Sequence, residues 1–169
     1  IMTTHWGADG NADGLSGKSI FLNNLEEGEE YIIYKNGKKA TLKDIKVDDI
    51  IETANHFRCI DLAIDFANRK LSESFIKQLH RILMTGTSDS NQPWFMVGDY
   101  KLIPNEVGDR VTTDPKEVRQ EMKKLVDEYN KKTNHTFEEI VEFHVNFESI
   151  HPFQDGNGRV GRLIAFKEC

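Results

Sequence analysis

A chain of 169 residues is long enough to bury a hydrophobic core and short enough to form one main domain. With 38% hydrophobic and 30% charged residues it has the composition of an ordinary soluble protein, and no apolar run approaches membrane-spanning length. A formal net charge of -6 argues against a nucleic-acid partner while leaving room for a local basic pocket. The two cysteines, Cys59 and Cys169, lack any metal-site spacing, and the N-terminus lacks the basic-then-apolar form of a signal peptide. Both observations point to a reduced, cytoplasmic setting.

Residues 1–18 are rich in Gly, Asp and Asn and read as a mobile surface segment. Ala12 to Ser19 fits the loose form of a phosphate-binding P-loop, but that motif needs a buried strand just upstream, which the polar stretch Thr3 to Asn11 does not supply. Asp9, Asn11, Asp13 and Gly14 imitate the start of a calcium loop, yet its twelfth position, which requires Glu, is Ile20. Residues 19–27 carry Ile20, Phe21 and Leu25 at amphipathic spacing, with Ser16 or Ser19 as a cap and Gly28 as a stop, and predict a short helix. From Tyr31 to Leu42, Asn36-Gly37 between two β-prone arms predicts a hairpin.

From Asp44 the period turns helical. Val47, Ile50, Ile51, Ala54, Phe57, Leu62 and Phe66 mark a helix of about six turns, within which His56 is read as structural. A second helix runs from a Ser72 cap through Phe75, Ile76, Leu79, Ile82 and Leu83 to Gly86. Residues 86–113 lack helical periodicity, and so long an irregular segment in a compact domain is commonly a functional loop. Asp114-Pro115-Lys116-Glu117 combines a cap, an N1 proline and an N3 glutamate, and Val118, Met122, Leu125 and Tyr129 mark the buried face that follows. Thr136 to Glu139 is a second capping box, opening a helix through Ile140, Val141, His144, Phe147 and Ile150. His135, His144 and His151 are spaced nine and seven apart, unlike the i, i+4 pairs of helical zinc sites, so no zinc is expected.

That last helix delivers the chain to His151-Pro-Phe-Gln-Asp155-Gly156-Asn157-Gly158-Arg159-Val-Gly-Arg162. Gly156 and Gly158 let the backbone bend and approach a ligand, and the first N–H groups of the next helix then face outward with its positive dipole end behind them. Such a cradle suits phosphate. Arg159 and Arg162, at i and i+3, share a face and can fork onto phosphate oxygens. Asp155 stands where a carboxylate holds Mg²⁺ against a polyphosphate, and His151 is the group there with a pKa suited to proton abstraction near neutrality. Phe153 is expected to pack inward and pin the loop.

This string resembles the signature of Fic-domain proteins, His-Pro-Phe-x-(Asp/Glu)-Gly-Asn-Gly-Arg-x-x-Arg, at every fixed position. The resemblance implies an all-α fold with a β-hairpin flap over the active site, here with a further N-terminal hairpin, and a catalytic domain over 19–169. It implies transfer of AMP from MgATP to a Ser, Thr or Tyr hydroxyl of a target protein or of the chain itself, with Mg²⁺ as cofactor and neither nucleic acid nor membrane as partner. His151 would deprotonate the hydroxyl, and Asp155 would hold Mg²⁺ bridging the α- and β-phosphates. Gly156, Asn157 and Gly158 would cradle phosphate oxygens, and Arg159 and Arg162 would neutralise the β/γ end. Removal of AMP, transfer of another phosphate-containing group, or a catalytically silent nucleotide-binding regulator remain open alternatives.

Three further segments enter through the same resemblance. Glu27-Gly28 is similar to the end of the family's inhibitory motif, (Ser/Thr)-x-x-x-Glu-(Gly/Asn), although Asn23 stands where Ser or Thr is expected; Glu27 would block productive ATP binding from an inhibitory helix at 19–27. Gly98-Asp99-Tyr100-Lys101 resembles Gly-x-Tyr-Arg, with Lys in place of Arg, so that residues 98–113 become the flap and Val111 and Thr112 its contacts with a target segment. Helical patterning still runs at Cys169, so the chain reads as trimmed at its C-terminus, where family members continue.

Overall fold

The computed structural model describes the backbone of residues 2–5, 18–21, 33–35 and 38–40, and residues 47–169 apart from Asp109. The chain divides into two compact units, Ile1–Thr53 and Ala54–Cys169. In the first, β1 (Met2–His5), β2 (Lys18–Phe21), β3 (Ile33–Lys35) and β4 (Lys38–Ala40) form an antiparallel sheet in that order. The expected hairpin is present as β3 and β4, in a register that pairs Lys35 with Lys38 across Asn36-Gly37.

The sheet corrects two expectations for the N-terminal stretch. Residues 2–5, read as part of a mobile segment, are a strand that pairs along its whole length with β2, Met2 opposite Phe21 and His5 opposite Lys18. The helix expected over 19–27 does not begin there, because Ser19, Ile20 and Phe21 belong to β2. A short apolar run fits either periodicity, and pairing with distant Thr3 and Thr4 decides for the strand. Lys18 and Ser19, which open β2, are also not at a helix start, as a P-loop would require. Glu27 and Gly28 lie outside the described residues.

The second unit starts inside α1 (Val47–Asp65) and continues with α2 (Glu73–Met84), α3 (Pro115–Tyr129), α4 (Phe137–Ile150) and α5 (Asn157–Glu168), with a short hairpin of β5 (Glu106–Val107) and β6 (Arg110–Val111) between α2 and α3. Local chemistry sets the helix starts. Ser72 caps α2 through the Phe75 N–H, Asp114 caps α3 through Lys116 with Pro115 behind it, and Thr136 and Glu139 complete a capping box on α4. The helical face of α1 is narrower than its apolar residues suggest. Asn55, Cys59 and Ala63 are buried, while Val47, Ile50 and Phe57 are exposed. Asn55 donates to the carbonyls of Leu83 and Thr85, tying α1 to the end of α2. His56, its neighbour, is half-buried.

The core gathers Phe75, Ile76, Leu79 and Leu83 of α2, Val118 and Met122 of α3, Phe143 and Phe147 of α4, and Val160, Leu163 and Ile164 of α5. Each fully buried apolar side chain of this kind contributes about 1.5–3 kcal/mol relative to exposure. The all-α expectation thus holds for residues 54–169, with one hairpin as its β element. No described helix is long and apolar enough to cross a membrane.

Candidate active site

The turn between α4 and α5 is made by sequence. α4 stops at His151, whose backbone adopts the left-handed region (φ 51°, ψ 63°) and whose N–H still bonds the Phe147 carbonyl. Pro152 follows, which removes a helical donor and disfavours the helical region for the residue before it. His151 is the one non-glycine residue among those described with positive φ. Such strain persists only where surroundings over-determine it.

The surroundings here are unusually dense. Phe153 is fully buried, its ring stacked on His80 at 4.0 Å with planes 2° apart. Asn157 is buried as well, and its side chain embraces Phe153: Oδ1 accepts from the Phe153 N–H and Nδ2 donates to the Phe153 carbonyl, each at 2.8 Å. Asn105 Nδ2 donates to that carbonyl at 3.0 Å, and the Lys101 N–H donates to the Pro152 carbonyl at 2.9 Å. His80 Nδ1 accepts the Gly98 N–H, so the neutral ring carries its proton on Nε2, which donates to the Asp155 carbonyl at 3.2 Å. Burial pushes the His80 pKa down to about 4, against the opposing pull of the Asp155 carbonyl and charge, so the ring is neutral. Gly156 closes the loop at φ +81°, and a Cβ there would meet Met84 Sδ at 3.2 Å. Conformation and space both call for glycine.

α5 begins at Gly156 with no side-chain cap. Its first N–H groups lack helical acceptors, and the dipole places positive potential at the same point. Arg159 lies over this end, paired with the Asp155 carboxylate at 2.8 Å. Arg162 is exposed, and its guanidinium passes across Gly158, with Nη1 3.3 Å from where a Cβ would sit. Asp155 is half-exposed at the rim beside the cradle. A single carboxylate so placed fits Mg²⁺, which takes one or two protein oxygens and completes its shell with phosphate and water.

His151 is half-buried, with its side chain 17% exposed. Burial lowers its pKa below the ordinary histidine value, and the Lys101 charge adds to this. The Glu148 main-chain carbonyl and Asp155 oppose it. At neutral pH the imidazole is therefore uncharged and able to accept a proton.

Lys101 is almost fully buried and holds the base of the β5–β6 hairpin. Its Nζ donates to Asn105 Oδ1 and Thr112 Oγ1, 2.6 Å each, and the Thr112 hydroxyl donates to the Asn105 carbonyl at 2.8 Å. Burial pushes the Lys101 pKa down to about 8, with Asp114 acting the other way. Val111 at the end of β6 is 80% exposed. Of the two expected target contacts, Val111 is open to a partner and Thr112 is engaged in holding the flap.

The structure thus brings His151, Asp155, Gly156, Asn157, Gly158, Arg159 and Arg162 onto one loop and one helix start. It assigns the Asn157 side chain to loop closure, so any phosphate contact of that residue falls to its backbone N–H. His80, Asn105 and Glu148 went unnoticed in the sequence. His80 did carry a signal, since it lies on the buried stripe of α2 four residues after Ile76; Asn105 carried none, because its partner is 48 residues away.

A profile of the Fic/DOC family matches residues 70–168. A probable protein adenylyltransferase of Aquifex aeolicus is 54% identical over 35 residues, which covers 21% of this chain and 11% of that protein. Among solved structures, a Fic domain-containing signaling protein of Bacteroides thetaiotaomicron is similar with a TM-score of 0.65 at 31% identity, over 79% of this chain and 52% of that one. A Fic family protein of Desulfovibrio desulfuricans is similar with a TM-score of 0.61 at 28% identity, over 77% and 38% respectively. The chain spans about half or less of each of these relatives. Signature loop, helical fold and family profile agree, and the chain belongs to the Fic/DOC family.

Proposed function

We propose that this chain transfers AMP from ATP to a hydroxyl of a protein, with His151 as general base. The acceptor oxygen attacks the α-phosphorus, its proton passes to the imidazole, the bond from the α-phosphorus to the bridging oxygen breaks, and pyrophosphate leaves. The observation that carries this is the uncapped start of α5 beside a half-buried His151 whose pKa burial lowers. Main-chain N–H groups of residues 157–159 hold phosphate oxygens, and Arg159 and Arg162 hold the charge that collects on the leaving pyrophosphate. Asp155, which pairs with Arg159, is the residue that would hold Mg²⁺; the ion would neutralise phosphate charge and leave the Arg159 guanidinium for the nucleotide. Because nearly every group here positions or neutralises, a rigid loop is what the chemistry needs. The likeness over 35 residues to a probable protein adenylyltransferase of Aquifex aeolicus supports the same activity.

The target is a protein segment that pairs with the exposed edge of β6 near Val111, where main-chain bonds tolerate many sequences. The test is incubation with ATP labelled at the α- or the γ-phosphorus, together with MgCl₂. Protein-bound label from the α position only, absent in His151→Ala, is expected; label from the γ position would make the chain a kinase instead.

A further inference from the structure

Behind His151 lies a group of polar side chains that the proposed reaction does not use. Glu148, one turn back on α4, has its Oε2 3.8 Å from His151 Nδ1. That Nδ1, Glu148 Oε1 and His144 Nδ1 are all buried without a hydrogen-bond partner. α5 makes room for them with a mid-helix glycine. A Cβ on Gly161 would come within 2.8 Å of Glu148 Oε1 and of His144 Cε1 and Nδ1. A glycine there weakens the helix, and burial raises the Glu148 pKa while His144 and Arg162 act against it. A half-buried carboxylate kept at such disadvantage, with no donor on Oε1, does not act as a fold-stabilising ion pair. Among the described residues no group of three such side chains is placed to hold a metal ion.

We propose that Glu148 is the positioning residue of His151. Its carboxylate beside Nδ1 keeps the ring proton on that nitrogen, leaves Nε2 as the proton acceptor, and offsets the positive charge the ring gains when it takes the hydroxyl proton. The same division of labour, a carboxylate orienting and compensating an imidazole, serves hydrolases on unrelated folds. The positive charge of Arg162, with His144, opposes the upward push of burial on the Glu148 carboxyl, and Gly161 gives it space. The charged groups facing His151 are then Glu148 from α4, Lys101 from the segment leading into β5 and Asp155 from the loop. The catalytic part of this inference rests on His151 being the base.

The experiment separates the two. The His151 ring is titrated by nitrogen-detected NMR in the wild-type chain and in Glu148→Gln, and AMP transfer is measured on the same samples. Loss of the carboxylate should lower the His151 pKa by about half a unit or more. It should also cut kcat about tenfold with KM for ATP little changed, Glu148→Asp recovering part of the loss. An unchanged His151 pKa in Glu148→Gln overturns the inference. A lowered pKa with no AMP transfer in any sample upholds the coupling and removes the adenylyltransferase reading. Should Glu148→Gln fail to fold, Gly161→Ala displaces the same carboxylate and must lower the same pKa; no change there is equally fatal.

Discussion

The ring of His80 lies flat on the ring of Phe153, centroids 4.0 Å apart, while its two nitrogens join Gly98 to Asp155. One side chain of α2 thus braces the signature loop by stacking and by two hydrogen bonds. His80→Phe keeps the stack and strands two buried polar groups, at a cost of about 2 kcal/mol. His80→Ala loses the stack as well and costs about 4 kcal/mol. Urea unfolding at pH 7.5 measures both, and equal losses would mean the hydrogen bonds alone matter.

The same ring makes stability depend on pH. Unfolded, it binds a proton near pH 6.5; folded, only near pH 4. Between those values the unfolded chain holds more protons, so the stabilisation is fully present above about pH 6.5 and falls away as pH drops toward 4. The total is on the order of 3 kcal/mol. His80→Phe should flatten this part of the pH–stability curve, which midpoints taken at half-unit steps will show.

The Asn157 side chain is wrapped around Phe153, which leaves the cradling of phosphate to its backbone N–H. Asn157→Asp leaves Oδ1 an acceptor but sets a buried carboxylate oxygen against the Phe153 carbonyl. Loss of stability by roughly 3 kcal/mol follows. At a temperature where the variant stays folded, its affinity for ATP should remain within a few-fold of wild type; a complete loss of binding there would return the side chain to the phosphate.

What could be read from the chain was what is local in it. Ser72, Asp114 and Thr136 bond donors two or three residues away, so their helices announce themselves. The loop from His151 to Arg162 holds its chemistry in twelve consecutive residues, and its bend follows from Pro152 and Gly156. Hidden parts depend on distant partners. β2 is a strand because residues 2–5 pair with it, and His80 is a brace because Asp155, 75 residues on, reaches it. α1 misled for another reason: its buried face is Asn55, Cys59 and Ala63, small or polar side chains, while larger apolar ones remain outside.

Lys101 is a cation in a buried place, and it is there to hold the flap. Lys101→Met removes the donor shared by Asn105 and Thr112. Amide exchange at Val111 should then quicken about tenfold, since opening loses about 1.4 kcal/mol of restraint. The pKa gives a second test. Folded Lys101 gives up its proton near pH 8 and unfolded Lys near 10.5, so wild type should gain stability over that window as pH rises. Lys101→Met should not.

The activity profile ties Lys101 to the base. His151 must be neutral to accept a proton, so kcat/KM should rise with pH and level off above the His151 pKa. Burial holds that pKa below the ordinary value, and the Lys101 charge pushes it the same way. The acid limb should therefore lie below pH 6.5, with full activity already reached at neutrality. Removing the charge in Lys101→Met lets the imidazole keep its proton to higher pH, and the limb should move upward by a few tenths of a unit. His151 is near enough to feel that charge whatever the flap does, so a limb that moves downward or stays put would show another group to be the one titrating.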